Sequence, residues 1–320
     1  MVTLSDIRSA SDRLHGITVH TPLIQFKLCA EDPRRLFLKP ENQQPIGAFK
    51  LRGAYNKIAS LSEEDRKRGV ISYSSGNHAQ GVAYAARALG VKAVIVMPEN
   101  APAIKREATA ALGAEIVIVG PGSAERQLKA EALAAQHGYV IVPPYNDEQI
   151  IAGQGTMGLE ILEDLPEVET VLAPVGGGGM ISGVAAAIKL SKPSAKVIGV
   201  EPELAADAQA SLRDGKIVQF PAGEVSRTIA DGLRTQSIGP INFEHIRCYV
   251  DDIVTVTEDE IREAVRLLAS NSKTVAEPSG AVAVAGFLFR RNQLPQTKLN
   301  VAIISGGNID PKMLEEFRRG

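Results

Sequence analysis

From Val70 onward, short apolar runs alternate with amphipathic stretches that close on glycine. The pattern predicts a strand over Val70 to Tyr73, a helix over Asn77 to Leu89 ended by Gly90, and a strand over Val91 to Met97. It continues with a helix over Pro102 to Leu112 ended by Gly113, a strand over Glu115 to Val119, a helix over Ala124 to His137 ended by Gly138, and a strand over Tyr139 to Val142. Apolar strands crossed by helices predict a parallel sheet covered on both faces. After Pro143, Pro144 and Asn146 a second set begins, with strands at Thr170 to Val175, Lys196 to Val200, Ile253 to Val256 and Leu299 to Ile304. Thr257 and Glu260 form a capping box that opens a helix through Leu268. The expected fold is therefore α/β, with two doubly wound parallel-sheet lobes: residues 70–146 form a small lobe inserted into a large one made of 1–69 and 147–320.

Composition narrows the function classes. With 320 residues, 44% hydrophobic and 22% charged, the chain has enough material for two cores. A net charge of −2 and the lack of a Lys/Arg cluster with interleaved aromatics argue against nucleic acid. The N-terminal MVTLSDIRSASDRL reads as a capped, charged helix rather than a signal peptide, and no apolar run approaches a membrane span, so the expected location is the cytosol. Cys29 and Cys248 lack metal or redox spacing and are expected to serve packing in a reducing compartment.

The chemistry starts at four consecutive glycines, Gly176, Gly177, Gly178 and Gly179, between the strand TVLAPV and the helical run MISGVAAAIKL. Backbone N–H groups free of side chains, backed by a helix N-terminus, can converge on a phosphate. A tight turn is the plain alternative. A dinucleotide fingerprint fails on spacing, because Ile181 or Ser182 stands where its third glycine belongs, although Glu201 sits where a ribose-binding acid would be. No Walker-type lysine follows, since Met180 takes that place. The remaining reading is one phosphate on a compact cofactor, which asks for a reactive group elsewhere. Lys50 is the candidate, in KPENQQPIGAFKLRGA, where Pro40, Pro45 and Gly47 interrupt regular structure before a helix begins near Phe49. A lysine there can form a Schiff base with an aldehyde cofactor if a partly desolvated pocket lowers its pKa.

Four stretches in order, GAFKLRGA (Gly47 to Ala54), SSGNHAQG (Ser74 to Gly81), GGGG (Gly176 to Gly179) and SGGN (Ser305 to Asn308), resemble the fold-type II pyridoxal-phosphate enzymes, and within them the serine/threonine dehydratase and serine racemase family. The likeness runs from about Thr21 to Asn308. It implies pyridoxal 5'-phosphate as cofactor, Lys50 as the Schiff-base lysine with Phe49 beside the cofactor, and the four glycines around its phosphate. It also implies Asn77 at the ring hydroxyl, Ser305 at the pyridine nitrogen, an amino acid as substrate, and a homodimer. A neutral serine opposite that nitrogen, unlike an aspartate, holds no proton there by charge, which limits carbanion delocalisation and suits prompt β-elimination.

The SSGNH loop, with Ser74, Ser75, Asn77 and His78 at a helix N-terminus, is implied to hold the substrate carboxylate, and helix capping is compatible with that. His78 is expected to lend its backbone rather than its imidazole. Ser75 leaves two reactions open. The racemase-like members carry this serine as a second base across the substrate from the lysine, whereas many bacterial threonine dehydratases have alanine there. Arg126 aligns approximately with an arginine of the racemase site, but a solvated residue on a polar helix face is an equal reading. In place of the common Thr-Gly-Ser-Phe-Lys, this chain has Ile46, Gly47, Ala48, Phe49 and Lys50, which removes two hydroxyls and opens the substrate to bulkier β-hydroxy amino acids such as phenylserine. In EPELAAD, the resemblance implies a divalent cation, Mg²⁺ or Ca²⁺, on Glu201, the Ala205 carbonyl and Asp207, with a solvated acidic loop as the alternative. The function implied is β-elimination from L-threonine or L-serine to a 2-oxo acid and ammonia. Serine racemase, or an ammonia-lyase for 3-hydroxyaspartate or phenylserine, are the alternatives. Feedback through an appended regulatory domain is not expected.

Overall fold

The computed structural model describes the chain apart from residues 30, 100, 102, 121, 122 and 320, and gives the backbone alone for residues 104, 123 and 124. In chain order the strands are β1 (Ile24–Phe26), β2 (Arg35–Pro40), β3 (Val70–Tyr73), β4 (Ala93–Pro98), β5 (Glu115–Val119), β6 (Val140–Ile141), β7 (Thr170–Pro174), β8 (Lys196–Pro202), β9 (Asp252–Val256) and β10 (Leu299–Ile304). They form a six-stranded sheet in the order β1-β2-β10-β7-β8-β9 and a four-stranded sheet in the order β5-β4-β3-β6. The α/β class and its two parallel-sheet lobes are thus as expected.

One pairing departs from the all-parallel expectation, because β1 runs antiparallel to β2 at the edge of the larger sheet. The sequence reading also missed β2, having taken Pro40 as an interruption of regular structure. Pro40 is tolerated as the last strand residue, and Lys39 is fully buried because acidic partners neutralise it. Elsewhere the boundaries moved by one to three residues, as in the helices Gly179–Ser191 and Glu258–Asn271. The expected helix start at Pro102 lies outside the described residues; the helix spans Ala103–Ala111. Cys29 and Cys248 are exposed, so neither serves packing as expected: neither thiol is large enough to draw its loop or helix end inward.

Thr3 with Asp6, and Thr257 with Glu260, close reciprocal capping boxes at the helices Leu4–Leu14 and Glu258–Asn271. Three other helices matter more for the site: Lys50–Ala59, Glu148–Asp164 and Gly179–Ser191. They touch backbone to backbone, since a Cβ on Gly183 would strike the Ile151 carbonyl and one on Gly153 would lie 2.7 Å from both the Arg52 carbonyl oxygen and the Gly53 Cα. Helix Lys50–Ala59 also packs against helix Asn77–Ala88, so it lies between the two sheets. The loops that follow β3, β7 and β10 leave the C-terminal ends of parallel strands, where open α/β sheets take their ligands.

Candidate active site

Lys50 is the first residue of its helix, and Phe49 is the N-cap. Its Nζ donates a 2.7 Å hydrogen bond to the Pro144 carbonyl and lies 5.2 Å from the centre of the Phe49 ring. Among the described residues no carboxylate pairs with it in a salt bridge. Desolvation lowers its pKa to about 8, and the positive end of the helix dipole acts in the same direction. Near neutral pH this amine therefore has a substantial neutral, nucleophilic fraction, which an exposed lysine lacks.

The loop before Lys50 is fastened to the loop after β10. Phe49 N–H donates to the Ser305 carbonyl at 3.0 Å, Gly307 N–H to the Gly47 carbonyl at 2.9 Å, and Ala48 pairs with Gly306 as an antiparallel bridge. Gly47 has φ +70°, and a Cβ there would lie 2.5 Å from Asn308 Oδ1, so the crossing needs glycine. Asn308 then joins three segments, its amide donating to the Ile46 carbonyl at 2.9 Å and to Asn77 Oδ1 at 2.8 Å. Ser305 is buried, with its hydroxyl 3.4 Å from the Ser279 carbonyl.

The glycine run opens helix Gly179–Ser191 with Gly178 as a left-handed N-cap at φ +93°. A Cβ on Gly177 would run into the Tyr145 ring, and one on Gly179 would press on Tyr145 Cβ at 2.9 Å. Tyr145 directly follows Pro144, the acceptor for Lys50, and its ring packs against the glycine loop. Burial raises its pKa to about 12. Tyr73, Gln127, Pro144, Tyr145, Asn146 and Ser237 line a cleft of about 160 Å³ beside it. A cradle of bare backbone amides at a helix N-terminus, together with a lysine that is partly neutral near neutral pH, fits a cofactor that carries one phosphate and one aldehyde.

The SSGNH loop begins helix Asn77–Ala88 directly after β3. Ser74 Oγ accepts a 3.3 Å bond from Gly76 N–H, and Ser74, Ser75 and Asn77 are all half-buried. The His78 ring is buried, with Nε2 3.0 Å from the Val142 carbonyl. Because a carbonyl only accepts, Nε2 carries the proton. Burial first, and then Lys50, lower the His78 pKa to about 3, so the ring stays neutral. Arg126 is half-buried rather than fully solvated, and desolvation lowers its pKa.

Glu201 lies inside β8 and is fully buried, and its carboxylate accepts from Ala208 N–H at 3.1 Å and Gln209 N–H at 2.8 Å. Asp207 is also fully buried, and among the described residues its carboxylate faces no cation or side-chain donor, only the backbone N–H groups of Asp207 and Ile238. Burial raises both pKa values, to about 7 for Asp207; Glu201 is raised further by the Asp207 charge. Ala205 is buried in the turn between them. The acidic loop is thus not solvated, and two enclosed carboxylates without a counter-charge suit a hard cation with oxygen ligands. Among the described residues no group of three or more His, Cys, Asp or Glu side chains converges as a metal cluster.

Two features escaped the sequence reading. Beneath Lys50, Arg52 binds Glu41 and Glu160, and Lys39 binds Glu160, in a buried set of two cations and two carboxylates. Beside Asn77, the buried carboxyl of Glu277 accepts the Asn77 amide at 2.6 Å. Only Asn308 had a visible signal, as the last residue of the SGGN motif.

Two parallel-sheet lobes, a desolvated lysine at the start of the helix between them and a glycine-rich helix N-terminus are the frame of an α/β cofactor enzyme. The chain belongs to the pyridoxal-phosphate dependent enzymes, whose family pattern matches residues 16–306, and pyridoxal phosphate is its cofactor. It is 48% identical over 319 residues to the L-threonine ammonia-lyase of Thermotoga maritima, covering 99% of this chain and 78% of that one. It is 42% identical over 311 residues to the L-threo-3-hydroxyaspartate ammonia-lyase of Saccharomyces cerevisiae, covering 97% of this chain and 94% of that one. Among solved structures, maize serine racemase superposes with a TM-score of 0.94 at 36% identity, covering 98% of this chain and 96% of that one.

Proposed function

We propose that the protein is an ammonia-lyase that eliminates the β-hydroxyl of L-threonine or L-serine, giving a 2-oxo acid and ammonia. The observation that carries the reading is the Lys50 amine, desolvated to a pKa of about 8 and tied through its loop to Ser305. Lys50 would hold the cofactor covalently, Gly176 to Gly179 would receive its phosphate through backbone N–H groups, Phe49 would lie beside it, and Asn77 and Ser305 would serve its ring hydroxyl and ring nitrogen. When bound, the ring accepts the electron pair left at the substrate's α-carbon.

The protein's own part follows from placement. Ser74, Ser75, Asn77 and His78 orient the substrate carboxylate at the start of their helix, with neutral His78 contributing through its backbone because its ring is engaged with Val142. Once displaced, the Lys50 amine takes the α-proton onto Nζ, since its lowered pKa leaves it free to accept one. Residues 70–146 act as an inserted lobe that closes over the cleft and excludes water. A divalent cation on Glu201, Asp207 and the Ala205 carbonyl neutralises a buried acidic pair and has a structural role. The active unit is a cytoplasmic homodimer.

The likeness to named threonine and 3-hydroxyaspartate ammonia-lyases supports elimination. Ser75 favours a second reading, racemisation, in which its hydroxyl exchanges the proton on the face opposite Lys50. One assay separates them. Protein loaded with pyridoxal phosphate is given L-threonine, L-serine or L-threo-3-hydroxyaspartate, and 2-oxo acid and D-amino acid are measured in the same sample. Excess 2-oxo acid from threonine or serine supports the reading, dominant D-serine replaces it with racemisation, and full turnover by Lys50→Ala refutes both.

A further inference from the structure

Asn77 has a terminal amide, and an amide can flip to present either its oxygen or its NH₂ group to a given neighbour. Two contacts remove that choice. Asn77 Oδ1 accepts from Asn308 Nδ2 at 2.8 Å, and Asn77 Nδ2 donates to Glu277 Oε1 at 2.6 Å. Asn308 is itself oriented, because the same amide donates to the Ile46 carbonyl. Glu277 is held by its backbone, its N–H donating to the Gly306 carbonyl at 3.1 Å, and its carboxyl crowds the space where Gly306 would carry a Cβ. Asn77 Nδ2 packs on the same spot at 3.0 Å, one residue beyond Ser305.

Glu277 begins helix Pro278–Phe289, yet its side chain makes no capping bond to it. The carboxyl is turned inward and buried, where it costs stability unless it serves a partner. Asn77 is the partner found there. One N–H of the Asn77 amide is used by Glu277, which leaves the second N–H as the group the amide can still donate.

We propose that Glu277 is a positioning residue of the cofactor site, whose carboxyl fixes the Asn77 amide so that an N–H, not the carbonyl oxygen, faces the phenolic oxygen of the pyridoxal ring. The proposal rests on the reading that the cofactor is held on Lys50 with its ring hydroxyl at Asn77. Without Glu277 the amide keeps only the Asn308 contact, its turned form is no longer excluded by a carboxyl, and a carbonyl oxygen then set against a phenolate oxygen repels it. The ring then loses a donor that stabilises its ionised phenol, so cofactor affinity and visible absorption change together.

The test uses full-length protein and measures pyridoxal-phosphate affinity and the visible spectrum of the bound cofactor, with borohydride reduction and peptide mass locating it on Lys50. Glu277→Ala should weaken affinity about tenfold, the scale of one buried hydrogen bond, and shift the balance of visible bands. Glu277→Gln keeps an oxygen for Asn77 and should stay within about threefold of wild type. In an Asn77→Ala background, Glu277→Ala should add almost nothing. If Glu277→Ala fails to fold, Glu277→Asp, which keeps the charge but pulls the oxygen back by one methylene, should give the same loss. Wild type carrying cofactor on Lys50 while these variants match it in affinity and spectrum overturns the proposal and leaves the Lys50 reading intact. An undiminished effect in the Asn77→Ala background overturns it as well. Wild type that takes no cofactor on Lys50 overturns both.

Discussion

Glu41→Gln tests the charge cluster beneath the reactive lysine. Arg52 donates to Glu41 through Nε at 2.7 Å and Nη2 at 2.8 Å, and to Glu160 at 2.6 and 2.8 Å, while Lys39 reaches Glu160 at 2.5 Å. Lys39, Arg52 and Glu41 are all fully buried. The substitution preserves shape but leaves two cations facing one carboxylate. Removing one partner of a buried pair costs about 3–5 kcal/mol, and Glu160 remains on Arg52, so about 3 kcal/mol is expected. At about 2 °C per kcal/mol for a chain of this size, the melting temperature should fall by about 6 °C. Burial alone would raise the Glu41 pKa, but Arg52 reverses this and holds it below 4.5. The contribution is therefore complete above the unfolded value of 4.5 and is lost as pH falls through the lower folded value. Circular-dichroism melts of both proteins at pH 8 and across the acid range check this. A difference under about 1 kcal/mol at pH 8, or one that widens in acid, would refute the reasoning.

Gly177→Ala should abolish tight cofactor binding, because its Cβ meets the Tyr145 ring, while the far-ultraviolet spectrum stays native; titration with pyridoxal phosphate reads this directly. The rate at which the free Lys50 amine condenses with an aldehyde should climb as pH rises through about 8 and level off above it, unlike an exposed lysine, whose rate is still rising at pH 10. Adding Ca²⁺ should raise the melting temperature and a chelator should lower it. Asp207→Asn should lose that response and be more stable than wild type in chelator, because it removes one of two enclosed carboxylates.

Much of this arrangement was legible in the chain because it depends on local rules. β10 was read at its true limits, since LNVAII is a bounded apolar run. The four glycines stood out because close backbone approach leaves no substitute for glycine. Glu277 was invisible for the opposite reason: a glutamate before Pro278 looks like an ordinary helix start, and only the tertiary fold turns it inward to Asn77, 200 positions away. Pro40 misled, since a proline argues against a strand unless it closes one, and the buried Lys39 before it is tolerated only because Glu160, far along the chain, neutralises it. Partners remote in sequence leave no mark in periodicity. Arg52 and Glu41, only 11 residues apart, were missed because two charges look solvated until the core closes over them.

The backbone contacts among helices Lys50–Ala59, Glu148–Asp164 and Gly179–Ser191 make the site a measuring gauge. With no side chains between them at Gly153 and Gly183, these helices cannot slide without driving carbonyls into one another. The span from the lysine amine to the glycine loop is therefore fixed, and, if that loop takes the cofactor phosphate as proposed, an analogue lengthened by one methylene between ring and phosphate would fit one anchor or the other, not both. Adaptation to new substrates is left to the surfaces that can shift, on the four-stranded sheet across the cleft.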